Sequence, residues 1–186
     1  GRLEREVSGV DLGPLAPCLP ERLYTPSKRI QLAPQAFVDD LPRLRAWAGE
    51  ASARTATLTL IGRRQLRSNN SWMHNSERLM KGADRCTLLM HPKDAEARSL
   101  VDGQRVRIAS RSGEVEAPLE ITDAMREGVV SLPHGFGHAR DGVRLTVART
   151  HAGASFNDVA DDLRTDTLCG TAAFSGTPVE VTRTPQ

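Results

Sequence analysis

The sequence predicts a mainly β protein whose strands close into a barrel, with a few short helices and an irregular segment in front. From Thr55 onward, short runs alternate apolar and polar residues, turn residues separate these runs, and helical periodicity is scarce. Short strands at this spacing bury their edges most simply in a closed or nearly closed barrel.

Each predicted strand has its own pattern. "TATLTLIG" alternates leucines with threonines, as in a half-buried strand, and "CTLLM" is a short apolar run typical of a fully buried one. "QRVRIAS" and "EVEAPLEI" predict a hairpin whose outer face places arginines opposite glutamates. "GVVSL" and "PVEVTR" add further strands. In "HPKDAEARSL", Pro92 fits the first turn of a short helix.

The first part of the chain has a different texture. Of the 11 prolines, six lie in residues 1–54, and the stretch "GPLAPCLPERLYTPSKRIQLAP" shows no sustained period. We therefore predict a linker or entry segment over residues 1–54 and a barrel domain over residues 55–186. Within the entry segment we expect a short helix over residues 41–47, capped by Asp39 or Asp40.

Composition limits the function classes. The 25 basic and 23 acidic residues give a net charge of +2, too balanced for a protein that coats nucleic acid, so any anion site must be local. No run of about 18 apolar residues occurs, so we predict no membrane contact from this segment. The chain begins without Met or a signal core and reads as a piece of a larger protein, with cytoplasmic residence as the default expectation.

The three cysteines, Cys18, Cys86 and Cys169, are far apart and form no C-x-x-C pair. This predicts neither a disulfide framework nor a zinc or iron–sulfur site, and favours reduced, buried thiols.

The first motif, "LIGRRQLRSNNSWMHN", gathers groups that bind anions and ring edges. Gly62 would let the backbone approach a ligand, while Arg63, Arg64 and nearby amides would form a phosphate cradle. The asparagines and His74 could bond a heterocycle on which Trp72 stacks. The alternative is a polar surface loop with a buried tryptophan and solvated arginines.

Two later motifs add polar groups. In the second, "LPHGFGH", the glycines indicate a loop that approaches a ligand or another strand, rather than the helix on which two histidines would bind a metal. In the third, "HAGASFNDVADD", His151, Asn157 and Asp158 could reach a polar ring, since an amide and a carboxylate suit the donor edge of guanine; alternatively the run forms a helix cap and a solvated turn. No nucleophile elbow, Walker A loop or G-x-G-x-x-G motif is present, so we predict no catalytic residue in this chain.

In this order the motifs resemble a known family. "GRRQLRSNNSWMHN", the stretch from "LLMHPKDAEARSL" to "LPHGFGH", and "FNDVADDLRTDTLCGTAAFSGTPVEV" resemble the C-terminal molybdopterin-dinucleotide-binding domain of molybdopterin oxidoreductases, the family of formate dehydrogenases, nitrate reductases and dimethyl sulfoxide reductase. The resemblance covers about residues 56–183. It implies a double-psi β-barrel that caps a molybdopterin guanine dinucleotide cofactor, whose molybdenum or tungsten the full enzyme holds.

The resemblance also implies a partner and a set of site residues. The partner would be the remaining domains of the parent oxidoreductase, and the isolated fragment would be inactive because the metal ligand lies in an earlier domain. Matching the family's motifs position by position predicts these cofactor-binding residues: Gly62, Arg63, Arg64, Ser68, Asn70, Trp72, His74, Asn75, His134, Gly135, His138, Asn157 and Asp158.

Other interpretations differ in what they require. A pyruvoyl-dependent decarboxylase on the same barrel needs a Gly-Ser cleavage site, and the sequence contains no Gly-Ser pair. A stand-alone barrel module that binds protein partners would tolerate loss of the arginine- and asparagine-rich loop. For nucleic-acid binding, the basic cluster of residues 63–85 is interrupted by Glu77 and Asp84 and has few aromatic residues on which bases could stack.

Overall fold

The computed structural model describes residues 1–53 and 57–184. The chain divides into two compact units, Gly1–Ala46 and Trp47–Gln186. The predicted boundary between residues 54 and 55 lies outside the described residues and stays a prediction.

The first unit is largely irregular. It contains α1 (Arg2–Arg5), α2 (Gln35–Asp39) and the beginning of α3 (Leu41–Ala53). The predicted helix does begin at Leu41, but it runs to Ala53, beyond the predicted end at residue 47. A bidentate ion pair between Arg43 and Asp40 ties its first turn to the end of α2.

The second unit contains the strands. Those found in the described residues are β1 (Leu58–Arg63), β2 (Leu88–Met90), β3 (Arg105–Ala109), β4 (Glu114–Ile121), β5 (Val129–Pro133) and β6 (Thr177–Arg183). Each corresponds to a run that alternation or apolar content had predicted. The short helices of this unit are α4 (Glu77–Met80), α5 (Pro92–Glu96) and α6 (Thr146–Thr150), with a 3-10 turn at Phe156–Asp158.

The strands close in the order β1-β5-β2-β4-β3-β6. The pairs β1/β5 and β2/β4 are parallel, whereas β2/β5, β3/β4, β3/β6 and β1/β6 are antiparallel. This closed mixed barrel is the double-psi β-barrel that the resemblance implied, and the predicted mainly β class is confirmed.

Alternation accounts for the barrel interior. Along β3, Val106 and Ile108 are fully buried, and Arg105 and Arg107, which alternate with them, face outward. The predicted hairpin is present, and its ion pairs run diagonally: Arg107 lies opposite Glu116 in register but bonds Glu114. Such exposed ion pairs contribute little to stability.

Within the described residues, no helix has both the length and the apolar character needed to cross a bilayer.

Candidate functional site

The first and second motifs leave the barrel at the same end. Strands β1 and β5 run parallel with Gly62 beside Leu132 and Arg63 beside Pro133, so the loops of residues 64–75 and 134–138 begin side by side. The His134 amide donates to the Arg63 carbonyl at 3.3 Å, which continues the pairing one step beyond the strands. Parallel pairing thus brings together two motifs that are distant in sequence.

A backbone contact joins the two loops further out. Gly135 has φ +93°, and a Cβ at this position would lie 2.3 Å from the Asn70 carbonyl oxygen. Any other residue would push the loops apart. Asn69 and Asn70 have φ values of 42° and 62° in the left-handed region. Such strained positions concentrate at functional sites.

A buried hydrogen-bonded chain lies beneath this contact. His74 is fully buried, its Nε2 lies 2.7 Å from Ser68 Oγ, and its Nδ1 lies 2.8 Å from His138 Nε2. Its ring also packs on Phe136, with 4.3 Å between ring centroids. We call Ser68, His74 and His138 the buried junction, since together they fasten the first loop to the second.

The buried junction is neutral at neutral pH. Burial is the main cause that lowers the pKa of His74 to about 4, and His138 and the charge of Arg85 lower it further. Burial likewise lowers the pKa of His138. One ring nitrogen of the facing pair therefore carries a proton and donates it to the other. If both of these facing nitrogens carried a proton, two donors would meet with no acceptor between them.

The outer part of the first loop has a different character. The exposed Arg64 guanidinium donates through Nη1 to Asn70 Oδ1, and no carboxylate within residues 1–53 and 57–184 pairs with it. In the same described part, the amide N–H groups of Asn69 and Asn70 have no protein acceptor. A guanidinium with spare donors beside unused amides is a donor set that fits an anionic ligand such as a pyrophosphate.

The side chains of three other predicted site residues of the first motif are not part of this exposed donor set. The Arg63 guanidinium donates to the Thr87 carbonyl at 2.7 Å and to the Ser131 carbonyl, bracing β1 against its neighbours, and burial lowers its pKa. Asn75 Oδ1 accepts from two amides in the first turn of α6. Trp72 is 83% exposed, so the expectation of a buried tryptophan, which belonged to the surface-loop alternative, is wrong.

The third motif lies beside the second. The Ala152 carbonyl accepts from the amides of Gly137 and His138 at 2.7 and 3.0 Å. Asn157 is exposed, and its side-chain amide has no protein partner in the part of the chain that the structure describes. The Asp158 carboxylate pairs with Arg140.

A cleft of about 340 Å³ opens where these two motifs meet, and its lining includes Gly137, Arg140, Ser155 and Asp158. This volume is within the range of small-ligand sites. The structure thus places the predicted residues in one loop cluster. Polar groups of all three motifs lie at the surface of this cluster.

Sequence reasoning missed two residues of this cluster. Arg140 follows the second motif in an ordinary "HARDGV" turn, and only the structure places it on Asp158. Phe174 packs between residues of all three motifs. Its position in "TAAFSGT" carries no local signal, since a lone aromatic before a strand is usually part of a core.

The three cysteines differ in burial. Cys86 is buried, and burial raises the pKa of its thiol to about 11. Cys18 and Cys169 are exposed, so the expectation of buried thiols is wrong for these two. Across residues 1–53 and 57–184, no group of three or more His, Cys, Asp or Glu side chains is arranged to hold a metal ion.

Known proteins resemble about half of this chain. A tetrathionate reductase subunit from Salmonella typhimurium is 32% identical over 111 residues, which cover 50% of this chain and 11% of that protein. Biotin sulfoxide reductase from Cereibacter sphaeroides is 33% identical over 91 residues, covering 48% of this chain and 12% of that protein. The chain therefore spans about a tenth of the length of these curated relatives.

A solved structure agrees at the level of the fold. Acetylene hydratase from Pelobacter acetylenicus superposes with a TM-score of 0.60 at 21% identity, over 74% of this chain and 20% of that one. The sequence profile described as "Molydopterin dinucleotide binding domain" matches residues 58–178, from the first strand of the barrel into the last. This match confirms the resemblance and the cofactor class that it implied, and the chain belongs to the molydopterin dinucleotide-binding domain family.

Proposed function

We propose that this chain binds the pyrophosphate and guanine end of a molybdopterin guanine dinucleotide and has no redox activity of its own. The observation that carries the proposal is the exposed donor set of Arg64 and the Asn69 and Asn70 amides, where two parallel strands end together. Such a site suits a ligand with two adjacent phosphate groups.

The residues divide into two roles under this proposal. Arg64 and the Asn70 loop would hold the pyrophosphate, while Asn157 and Asp158 would bond the polar edge of the guanine. A carboxylate matches the adjacent N–H donors of that base, and an amide can both donate and accept. Arg140 would release or share Asp158 when the base binds, because it now pairs with that carboxylate.

The remaining predicted residues would support these contacts. Ser68, His74 and His138 hold the two loops together, and Gly135 permits their close approach. Gly62, Arg63 and His134 lie at the strand ends, and Trp72 and Asn75 complete the first loop. For this group, direct contact with the cofactor stays a prediction.

The activity would belong to a larger molybdopterin-dependent oxidoreductase. The relatives named above are reductases that are far longer than this chain, and the cofactor would supply redox chemistry at a metal, molybdenum or tungsten, held by other domains. Exposed Leu66 and Trp72 suit contact with those domains. We keep a cytoplasmic location, and the absence of nucleic-acid and membrane contacts, as predictions from the sequence.

The guanine content of the intact oxidoreductase that carries this chain tests the proposal. Acid hydrolysis of the cofactor pyrophosphate releases GMP, which can be counted per folded protein. We expect Arg64→Ala and Asn157→Ala to lower this content several-fold. The control is Arg107→Gln, which alters an exposed ion pair of the β3/β4 hairpin, and it should keep full content. Unchanged GMP in both site variants would contradict the proposal.

A further inference from the structure

Phe174 packs against residues of all three motifs. Its ring stacks on Phe156, with 4.2 Å between centroids and 29° between planes. It meets the His134 ring edge-on, with centroids 5.6 Å apart and planes at 76°. Phe156 directly precedes Asn157 in the 3-10 turn. His134 is the first residue of the second motif after the end of β5. The Phe174 side chain therefore contacts both the residue before Asn157 and a residue of the second motif.

The same ring gives a structural reason for the glycine at position 62 of the first motif. A Cβ at Gly62 would lie 2.3 Å from Phe174 Cε1, and the three atoms nearest to that position all belong to the Phe174 ring. The space that a side chain would fill is therefore occupied by the protein itself. Gly62 thus permits the approach of Phe174, and the approach of a ligand that the sequence indicated stays a prediction.

The chain directly after Phe174 is fixed by hydrogen bonds. The Gly62 amide donates to Ser175 Oγ at 3.3 Å, and the Gly176 amide donates to the Leu60 carbonyl at 2.8 Å. Arg164 Nη1 donates to the Gly176 carbonyl at 2.6 Å. These bonds tie the segment that carries Phe174 to β1 and so fix its backbone beside Gly62.

We propose that Phe174 is a positioning residue of the dinucleotide site, which sets the end of β1, the start of the second motif and the Asn157 turn relative to one another. This inference rests on the proposed function. The ring is 37% exposed and shares no hydrogen bond with these groups, so its effect comes from the packing contacts that it makes with each of them. Groups that must meet one ligand at several points need such a support.

The proposal predicts a specific pattern of coupling. Phe174→Ala removes the support, and we expect GMP per folded oxidoreductase to fall about tenfold, as when an outer support of a binding group is lost. Phe174→Tyr keeps both ring contacts and should retain the cofactor. Gly62→Ala should lower GMP in the natural background because it displaces the ring. It should cause no further loss when Phe174→Ala is also present.

The readouts separate this proposal from a general loss of stability and from the proposed function. Unfolding in urea is measured beside GMP content, because a purely structural role would lower stability and leave GMP per folded protein unchanged. If Arg64→Ala loses GMP but Phe174→Ala keeps it, the positioning role is wrong and the proposed function stands. If Arg64→Ala, Asn157→Ala and Phe174→Ala all keep full GMP content, the proposed function itself fails.

A further variant covers the case in which Phe174→Ala does not fold. Phe174→Leu keeps apolar volume but has no flat ring to stack on Phe156, and we expect GMP content between those of the alanine variant and the natural protein. Full GMP content in Phe174→Leu, or additive losses in the double variant of Gly62 and Phe174, would overturn the proposal.

Discussion

The buried junction of Ser68, His74 and His138 differs sharply from the exposed rim, by which we mean Arg64, Asn70 and Asn157. Both sets draw mainly on the first motif, with His138 added from the second and Asn157 from the third, and both were predicted to bind the cofactor. The three junction side chains are 1%, 0% and 8% exposed and bond one another, whereas the rim side chains face solvent. A polar motif at a binding site therefore contains residues that build the loops as well as residues that face the ligand.

The largest effect expected from this comparison is on stability at the junction. His74→Ala removes a fully buried ring and leaves Ser68 and His138 without their partner. We expect the free energy of unfolding to fall by about 3 kcal/mol, from the cavity and the unpaired polar groups together. Urea denaturation measures this. A variant as stable as the natural chain would show that the junction is not a structural element.

Acid should act on the junction in the same direction. The pKa of His74 is about 4 in the folded chain and has an ordinary value of 6.5, so the unfolded chain binds more protons between these limits. The stabilisation is present above about pH 6.5 and is lost as pH falls toward about 4. The expected sign is a fall in unfolding free energy on acidification that is steeper in the natural chain than in His74→Ala. Equal slopes in the two proteins would contradict this.

Asn75 lies outside the buried junction and should contribute less to stability than His74. Its Oδ1 accepts from the amides of Val147 and Ala148, which are otherwise unpaired in the first turn of α6. Asn75→Ala should therefore cost about 1 kcal/mol, the usual effect of losing a helix cap. The matched control is Asn157→Ala, because that amide is exposed and has no protein partner within the described residues. Thermal midpoints of the two variants should differ, and equal midpoints would remove the capping role.

The smallest effect on stability is expected at the rim. Arg64→Ala removes an exposed guanidinium whose protein partner is the side chain of Asn70, so stability should change by less than about 0.5 kcal/mol. The same substitution should lower cofactor content several-fold, which separates binding from folding. An Arg64→Ala protein that unfolds as easily as His74→Ala would erase the distinction between rim and junction.

Local pattern was sufficient to predict the strands but not how they are joined. Alternation placed Val106 and Ile108 in the core, and Pro92 marked the start of α5. The parallel pairing of β1 with β5 was not readable from any local pattern, because register between distant strands depends on the packing of the whole barrel. The double-psi topology came from the resemblance alone.

The candidate site shows the same limit. The residue types of the first motif correctly indicated a cluster of polar groups, but a histidine in a loop gives no sign of whether it is buried, as His74 is, or exposed. Asn75 and Asn70 are indistinguishable in sequence, yet one caps a helix and the other bonds Arg64. Phe174 was missed because its partners are brought to it by the barrel and not by neighbouring residues.

The most direct test of the account is an amide chemical-shift titration of the 186-residue chain with GDP, which stands in for the guanine end of the dinucleotide. We predict that the largest shifts occur at the amides of Arg64, Asn69, Asn70 and Asn157 and persist at moderate salt, while the ring signals of His74 stay nearly constant. Shifts that leave these amides unchanged, or that concentrate in the cleft between α4 and α6, would contradict the assignment of the rim as the dinucleotide site.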